Sequence, residues 1–164
     1  MAFVVFNLLA AAALIGIDQA IKLWATNVLQ PVGAMPLIPH VVELRFVLNP
    51  GMAFSLLSGK QLFLIIATSI ALIFVAYGLF FRSRGRYLQQ AALLLILAGG
   101  IGNLIDRVLN GYVVDFFATT FMNFAVFNVA DCFVCVGAAL FVIAVLRQEL
   151  NAKKEQKAGT DENA

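Results

Sequence analysis

Three aspartates fall within one short stretch of this 164-residue chain: Asp106 in Gly102-Asn-Leu-Ile-Asp-Arg107, Asp115 in Val113-Val-Asp-Phe116 and Asp131 in Phe127-Asn-Val-Ala-Asp131. Charged residues make up only 12 % of the sequence. Carboxylates beside apolar runs must therefore find partners or stay protonated, because burying an unpaired charge is expensive. Two carboxylates held close in a low-dielectric site cannot both ionise. One keeps its proton near neutral pH and polarises a carbonyl, while the other activates water against it. Spacing alone leaves open whether Asp131 pairs with Asp106 or with Asp115.

Other chemistries fit the inventory less well. His40 is the only histidine and follows Pro39 in a loop-like segment, so a His-containing zinc site or a Ser-His-Asp triad would have to rest on it alone. Ser55 or Ser58 with Lys60 or Lys22 would need a lysine whose pKa burial has lowered, and Lys60 shows no such burial. Cys132-Phe-Val-Cys135 is placed where a membrane thiol oxidoreductase would carry its redox pair. Such enzymes relay electrons to a second cysteine pair, however, and the chain has two cysteines in all. Free thiols in an apolar helix behave as small hydrophobes. This oxidoreductase and a small four-helix transporter stand as alternatives.

The elements that must position these groups are membrane helices. The chain is 62 % hydrophobic with a mean hydropathy of +0.94, more apolar than a soluble fold allows. Four runs approach the roughly 20 residues that cross a bilayer: about 3–24, 62–81, 88–105 and 127–146. Cys132 to Leu146 gives only about 22 Å of helix, so the fourth run is expected to begin near Phe127, with Asp131 about one turn below the surface. The first run opens without a basic residue and carries Asp18 and Lys22 where a cleavage site would lie, so it is expected to be retained.

Arg82, Arg84 and Arg86 sit between runs two and three, and Arg147, Lys153, Lys154 and Lys157 follow run four. The positive-inside rule then puts both termini in the cytoplasm and gathers Asp18, Lys22, Asp106, Arg107, Asp115 and Asp131 at the outer interface. No nucleic-acid partner is implied. Asp18 and Lys22 form an i, i+4 pair, for which a structural role is expected.

The outer segment 27–61 contains Pro31, Pro36 and Pro39, expected to break any long helix, and Val41 to Leu48 alternates as a strand does. That strand would place Glu43 and Arg45 on one face and Leu44, Phe46 and Leu48 on the other. Asn49-Pro-Gly-Met-Ala-Phe54 reads as a turn, followed by Ser55. Gly99, Gly100 and Gly102 suit close helix packing. Asn103 and Asn128 are amides at matching ends of the third and fourth runs. The fold class is an all-α membrane protein of four transmembrane helices with a small extracytoplasmic β element between helices one and two. One domain covers 1–150, and 151–164 is expected to be a disordered cytoplasmic tail.

Five segments in order, Asp18-Gln-Ala-Ile-Lys22, Asn49-Pro-Gly-Met-Ala-Phe54, Gly102-Asn-Leu-Ile-Asp-Arg107, Val113-Val-Asp-Phe116 and Phe127-Asn-Val-Ala-Asp131, resemble the lipoprotein signal peptidase (signal peptidase II) family. The resemblance implies a monomeric bacterial inner-membrane aspartyl endopeptidase without metal or cofactor. It would cut prolipoproteins on the amino side of a diacylglyceryl-modified cysteine, in contact with membrane lipid. It also implies a catalytic pair at Asp115 and Asp131, with Asp18, Lys22, Asn49, Gly51, Asn103, Asp106, Arg107, Asn128 and Ala130 binding substrate or supporting the pair. The sequence departs from the family where Leu48 replaces a usual arginine before Asn49, and at Ala98-Gly99-Gly100-Ile101.

Overall fold

A computed structural model describes residues 1–51 and 57–161. Met52, Ala53, Phe54 and Ser55 of the expected turn region, and the last three residues of the tail, lie outside the described residues.

Among the described residues, four helices are long and apolar enough to cross a membrane. Helix α1 (Ala2–Trp24) continues through a wide π-helical turn (Ala25–Leu29) and a final Gln30–Val32 turn, so its apolar length ends at Val32. The helix thus runs past Pro31, which sits at the start of that last turn, where a missing N–H is tolerated. Gly33, with φ +83°, closes it. Helix α2 (Gln61–Tyr77) likewise runs on through a wide turn to Arg82. Helix α3 (Tyr87–Asn110) ends at Gly111 in the left-handed conformation, whose N–H returns to Arg107 O at 3.1 Å. Helix α4 (Val129–Asp161) begins two residues later than hydropathy suggests and carries on helically through 151–161, where a disordered tail was expected.

α3 is the hub of the bundle, with nine buried residues against two on α2. Its glycines each make room for a different neighbour. A Cβ on Gly99 would collide with the Ala130 carbonyl of α4, and one on Gly100 would lie 2.5 Å from Leu72 Cδ2 of α2. At Gly102 the Cβ would meet Asp18 Oδ2 of α1 at 2.5 Å. The small residues thus set helix separations in lipid, where dispersion and polar contacts replace the hydrophobic effect. Large apolar side chains such as Phe63, Phe74 and Phe81 point outward, as a hydrocarbon solvent permits.

Three antiparallel strands form one sheet in the order β1 (Ala34–Ile38), β2 (Val42–Asn49), β3 (Val113–Thr119). The sheet therefore draws on two connections, since β3 comes from the α3–α4 link rather than from the segment between the first two helices. Leu44, Val114 and Phe116 pack on Ala25 and Leu29 at the end of α1. Opposite β3, β2 carries one extra residue between Leu44 and Val47. This bulge ends the expected alternation: Leu44 is buried, Leu48 is exposed, and Asn49 instead of Leu48 stands opposite Val113.

The glycine contacts give opposite expectations for one substitution at two places. Gly99→Ala should force α3 from α4 and cost about 1–3 kcal/mol. Gly16→Ala, with nothing within 4 Å of the new Cβ on an exposed face of α1, should be neutral or stabilise by up to about 1 kcal/mol. Thermal unfolding in detergent reads both, and equal Tm shifts would contradict the packing account.

Candidate active site

The first turn of α4 positions Asp131. Asn128 caps the helix in a reciprocal box: Asp131 N donates to Asn128 Oδ1 at 3.0 Å, and Asn128 N donates to Asp131 Oδ2 at 3.0 Å. The box satisfies two of the orphan N–H groups that open any helix, and it sets a carboxylate at the positive end of the helix dipole. The other oxygen, Asp131 Oδ1, accepts from Asn103 Nδ2 of α3 at 2.7 Å.

Asp115 reaches the same place from the middle of β3. Its Oδ1 accepts from Asn128 Nδ2 at 2.7 Å and its Oδ2 from Asn49 Nδ2 at 2.8 Å. Asn49 arrives there because the bulge in β2 moves the register by one residue. Its side-chain oxygen Oδ1 accepts from Gly51 N at 2.9 Å, and Gly51 O accepts from Arg107 Nη2 at 3.1 Å. Arg107 also donates to Asn103 O at 3.4 Å, while its buried Nε has no partner among the described residues.

Beneath these groups lies a buried ion cluster. Lys22 Nζ stands 2.9 Å from Asp18 Oδ2, 3.0 Å from Asp106 Oδ2 and 2.8 Å from Asn103 Oδ1. Ala130 N donates to Asp18 Oδ1 at 2.9 Å, and Val114 N donates to Asp106 Oδ2 at 3.3 Å. Asp106 thus faces Lys22 and not the cavity. Asn128 contacts both of the other aspartates, giving its side-chain N–H to Asp115 Oδ1 and its backbone N–H to Asp131 Oδ2.

Asp115, Asp131, Asn49, Asn103 and Arg107 line a cavity of about 380 Å³ whose other walls are Val113, Phe124 to Phe127, Cys132 and Cys135. Burial in this apolar setting raises the Asp115 pKa to about 6; the Asn49 hydrogen bond opposes the shift and the nearby Asp131 charge adds to it. Asn128 and Lys22 oppose it in turn. Two carboxylates at one cavity wall, one of them with its proton affinity raised by burial, form an arrangement suited to general acid and base chemistry.

Sequence reasoning passed over Gln19, whose Nε2 donates to Asp106 Oδ1 at 3.0 Å, Gly102 O at 3.2 Å and Asp18 Oδ2 at 3.3 Å. A neutral amide between Asp18 and Lys22 in an apolar helix was the available signal. It also passed over the Phe124–Phe127 wall, pinned to β3 by Phe117 N to Phe127 O at 2.8 Å and Phe127 N to Phe117 O at 3.1 Å. His40 is exposed at the β1–β2 turn with φ +62°, away from the cavity, and Lys60 is exposed as well.

The family model described as Signal peptidase (SPase) II matches residues 10–147. The chain belongs to the signal peptidase II family. A lipoprotein signal peptidase of Streptococcus pneumoniae (strain ATCC BAA-255 / R6) is 40 % identical over 139 residues, covering 84 % of this chain and 90 % of the relative. Another, from Streptococcus pyogenes serotype M2 (strain MGAS10270), is 38 % identical over 141 residues, 86 % of this chain and 93 % of that one. A solved bacterial membrane enzyme structure superposes with a TM-score of 0.82 at 35 % identity, covering 89 % of this chain and 90 % of that one.

Membership of the signal peptidase II family makes this a multi-pass bacterial membrane protease, and it leaves the thiol oxidoreductase and transporter alternatives without support. Cys132 and Cys135 are free thiols on the cavity wall.

The causes of the Asp115 shift can be separated by mutation. Asp131→Asn removes a neighbouring negative charge and should lower the pH at which Asp115 gives up its proton. Asn49→Ala removes a donor to the carboxylate and should raise it. The carboxyl stretch of Asp115 followed by infrared difference spectroscopy against pH measures both, and shifts of the same sign would contradict this assignment of causes.

Proposed function

We propose that this signal peptidase is an aspartic endopeptidase that removes signal peptides from prolipoproteins on the amino side of a diacylglyceryl-modified cysteine, with Asp115 and Asp131 as its catalytic pair. The observation that carries the reading is the convergence of these two carboxylates, one from a strand and one from a helix start, on one cavity, Asp115 held by the amides of Asn49 and Asn128 and Asp131 by the Asn103 amide and the Asn128 backbone N–H. The relatives named lipoprotein signal peptidase support the substrate class.

In this mechanism Asp115 holds the shared proton and donates a hydrogen bond to the scissile carbonyl oxygen. Asp131 takes a proton from water as the water oxygen bonds to the carbonyl carbon. The Asp115 proton passes to the carbonyl oxygen in the same step; when the resulting gem-diol collapses and the C–N bond breaks, one hydroxyl returns its proton to Asp115 and Asp131 gives its proton to the leaving nitrogen, so the pair regains its starting state. Asn49, Asn103 and Asn128 hold the carboxylates, and Arg107, tied to Gly51 and to the carbonyl of Asn103, holds the end of β2 against α3. Asp18, Lys22, Asp106 and Ala130 support the frame.

The same reading puts the cavity at the outer interface of the inner membrane with both termini in the cytoplasm. Its support is the arginine cluster Arg82, Arg84 and Arg86, at the end of the bundle away from the aspartates. A cavity walled by Val113 and Phe124 to Phe127 suits a substrate whose acyl chains remain among lipid tails, since exposing them to water costs about 0.8 kcal/mol per methylene.

Asp115→Asn and Asp131→Asn should each lower turnover by about 10²-fold or more while the protein stays folded. Near-normal turnover by either variant, measured with purified enzyme on a lipidated precursor, would refute the aspartic mechanism. Precursors identical except for the diacylglyceryl group should differ in kcat/KM by about 10²-fold or more, because anchoring fixes the depth of the scissile bond and raises local concentration. Equal rates in the same detergent would refute lipid-directed specificity and leave the aspartate pair untouched.

A further inference from the structure

The end of the bundle away from the aspartates carries a second polar cluster that proteolysis does not use. The tight link between α2 and α3 holds Arg84 and Arg86 in one turn, closed by Arg86 N to Ser83 O at 2.9 Å and by Gly85 at φ +80°. Arg84 lies 5.9 Å from the centroid of the Phe3 ring. Arg86 instead lines a cavity of about 230 Å³ between the first turn of α3 and the facing surface of α4, where Ala144, Arg147 and Gln148 form the other wall. Gln89 ties the walls together, its side-chain oxygen accepting from Gln148 Nε2 at 3.2 Å and from Arg86 Nη1 at 3.4 Å.

Two guanidinium groups, one from the α2–α3 link and one from α4, meet this cavity, and among the described residues neither has a carboxylate within ion-pair distance. The first turn of α3 adds positive potential, for it holds no acidic residue and no side chain caps it. Guanidinium forks match the oxygens of a phosphate group. Free phosphate would satisfy the charges alone, but the cavity has an apolar floor at Leu88 and buried Ala144, the neighbouring Ile143 and Leu146 of α4 are exposed, and Tyr87, 84 % exposed, stands at its rim as aromatic residues do at a lipid boundary. We propose that this cavity binds the phosphate of an anionic phospholipid, with Arg86 and Arg147 as its ligands. A lipid seated there bridges α3 to α4, the helices that carry Asn103 and Asp131 at their other ends.

The test titrates the full-length protein, in neutral detergent, with phosphatidylglycerol, with phosphatidylcholine of the same chains, and with sodium phosphate, reading Tm and the apparent Kd. Phosphatidylglycerol should raise Tm saturably and the other two should not. Changing Arg86→Gln together with Arg147→Gln should weaken the response about tenfold or more, while Arg45→Gln on the sheet should leave it unchanged. An unchanged response in the double variant, an equal loss with Arg45→Gln, or an equal rise with phosphatidylcholine would overturn the site. An equal rise with inorganic phosphate would replace the lipid with a free anion and overturn the proposal as stated. If the double variant does not fold, Arg147→Gln alone, at an exposed helix position, is decisive: a weaker response supports the site and an unchanged one overturns it.

Discussion

The ammonium of Lys22 is the constraint on which the rest depends. It is almost completely buried and has three donors, and it meets three acceptors: Asp18 on its own helix, and Asp106 and Asn103 on α3. Removing Lys22 would leave two buried carboxylates without their cation in an apolar bundle, a far larger penalty than the net gain from any one of these bonds. The cluster therefore assembles complete, and with it the register of α1 against α3. Gly102 allows this, since a side chain there would occupy the space of the Asp18 carboxylate.

From that fixed point each group at the cavity is one or two hydrogen bonds away. Asp18 receives Ala130 N and so locates the first turn of α4, while Asp106 receives Val114 N and so locates β3. Asp131 and Asp115 follow directly, being the next residue along each of those segments. Asn103 accepts from Lys22 and from Asn128 and donates to Asp131, which carries the position of the buried cation to the cavity wall. The charged cluster and the carboxylate pair are two levels of one polar network.

Much of this was legible in the sequence because membrane helices announce themselves by length and hydropathy, and because a carboxylate in such a chain is costly enough to be informative. The four helices and the small sheet agree with that reading. What escaped it depends on contacts between distant segments. Val113-Val-Asp-Phe116 is short and apolar on both sides of its aspartate, so nothing local distinguishes a strand from a loop; pairing with β2 makes it one. The bulge in β2 is equally silent, and it decides which side chain meets Asp115. The run of α1 past Pro31 follows from a wide turn that no helical periodicity reveals. Of the expected Asn49-to-Phe54 turn, Gly51 is tied to the Asn49 side chain and to Arg107 of α3, whereas Met52 to Phe54 lie outside the described residues.

Two departures from regular geometry carry the pair, and they act in different ways. Asp131 is held by the strongest local device a helix start offers, a reciprocal cap whose bonds lie within four residues, so its placement survives small movements of the other helices. Asp115 is held from a distance, by Asn49 across a bulged strand pair and by Asn128 across thirteen positions of sequence. Its surroundings can therefore be altered without unfolding α4. The more locally fixed carboxylate is the better candidate for the base that must orient water. The one whose proton affinity depends on burial and on several separable neighbours is the better candidate for the acid. Filling the cavity with an apolar substrate expels water from around Asp115 and strengthens the largest of those influences, so occupancy itself favours the protonated form that the proposed mechanism needs.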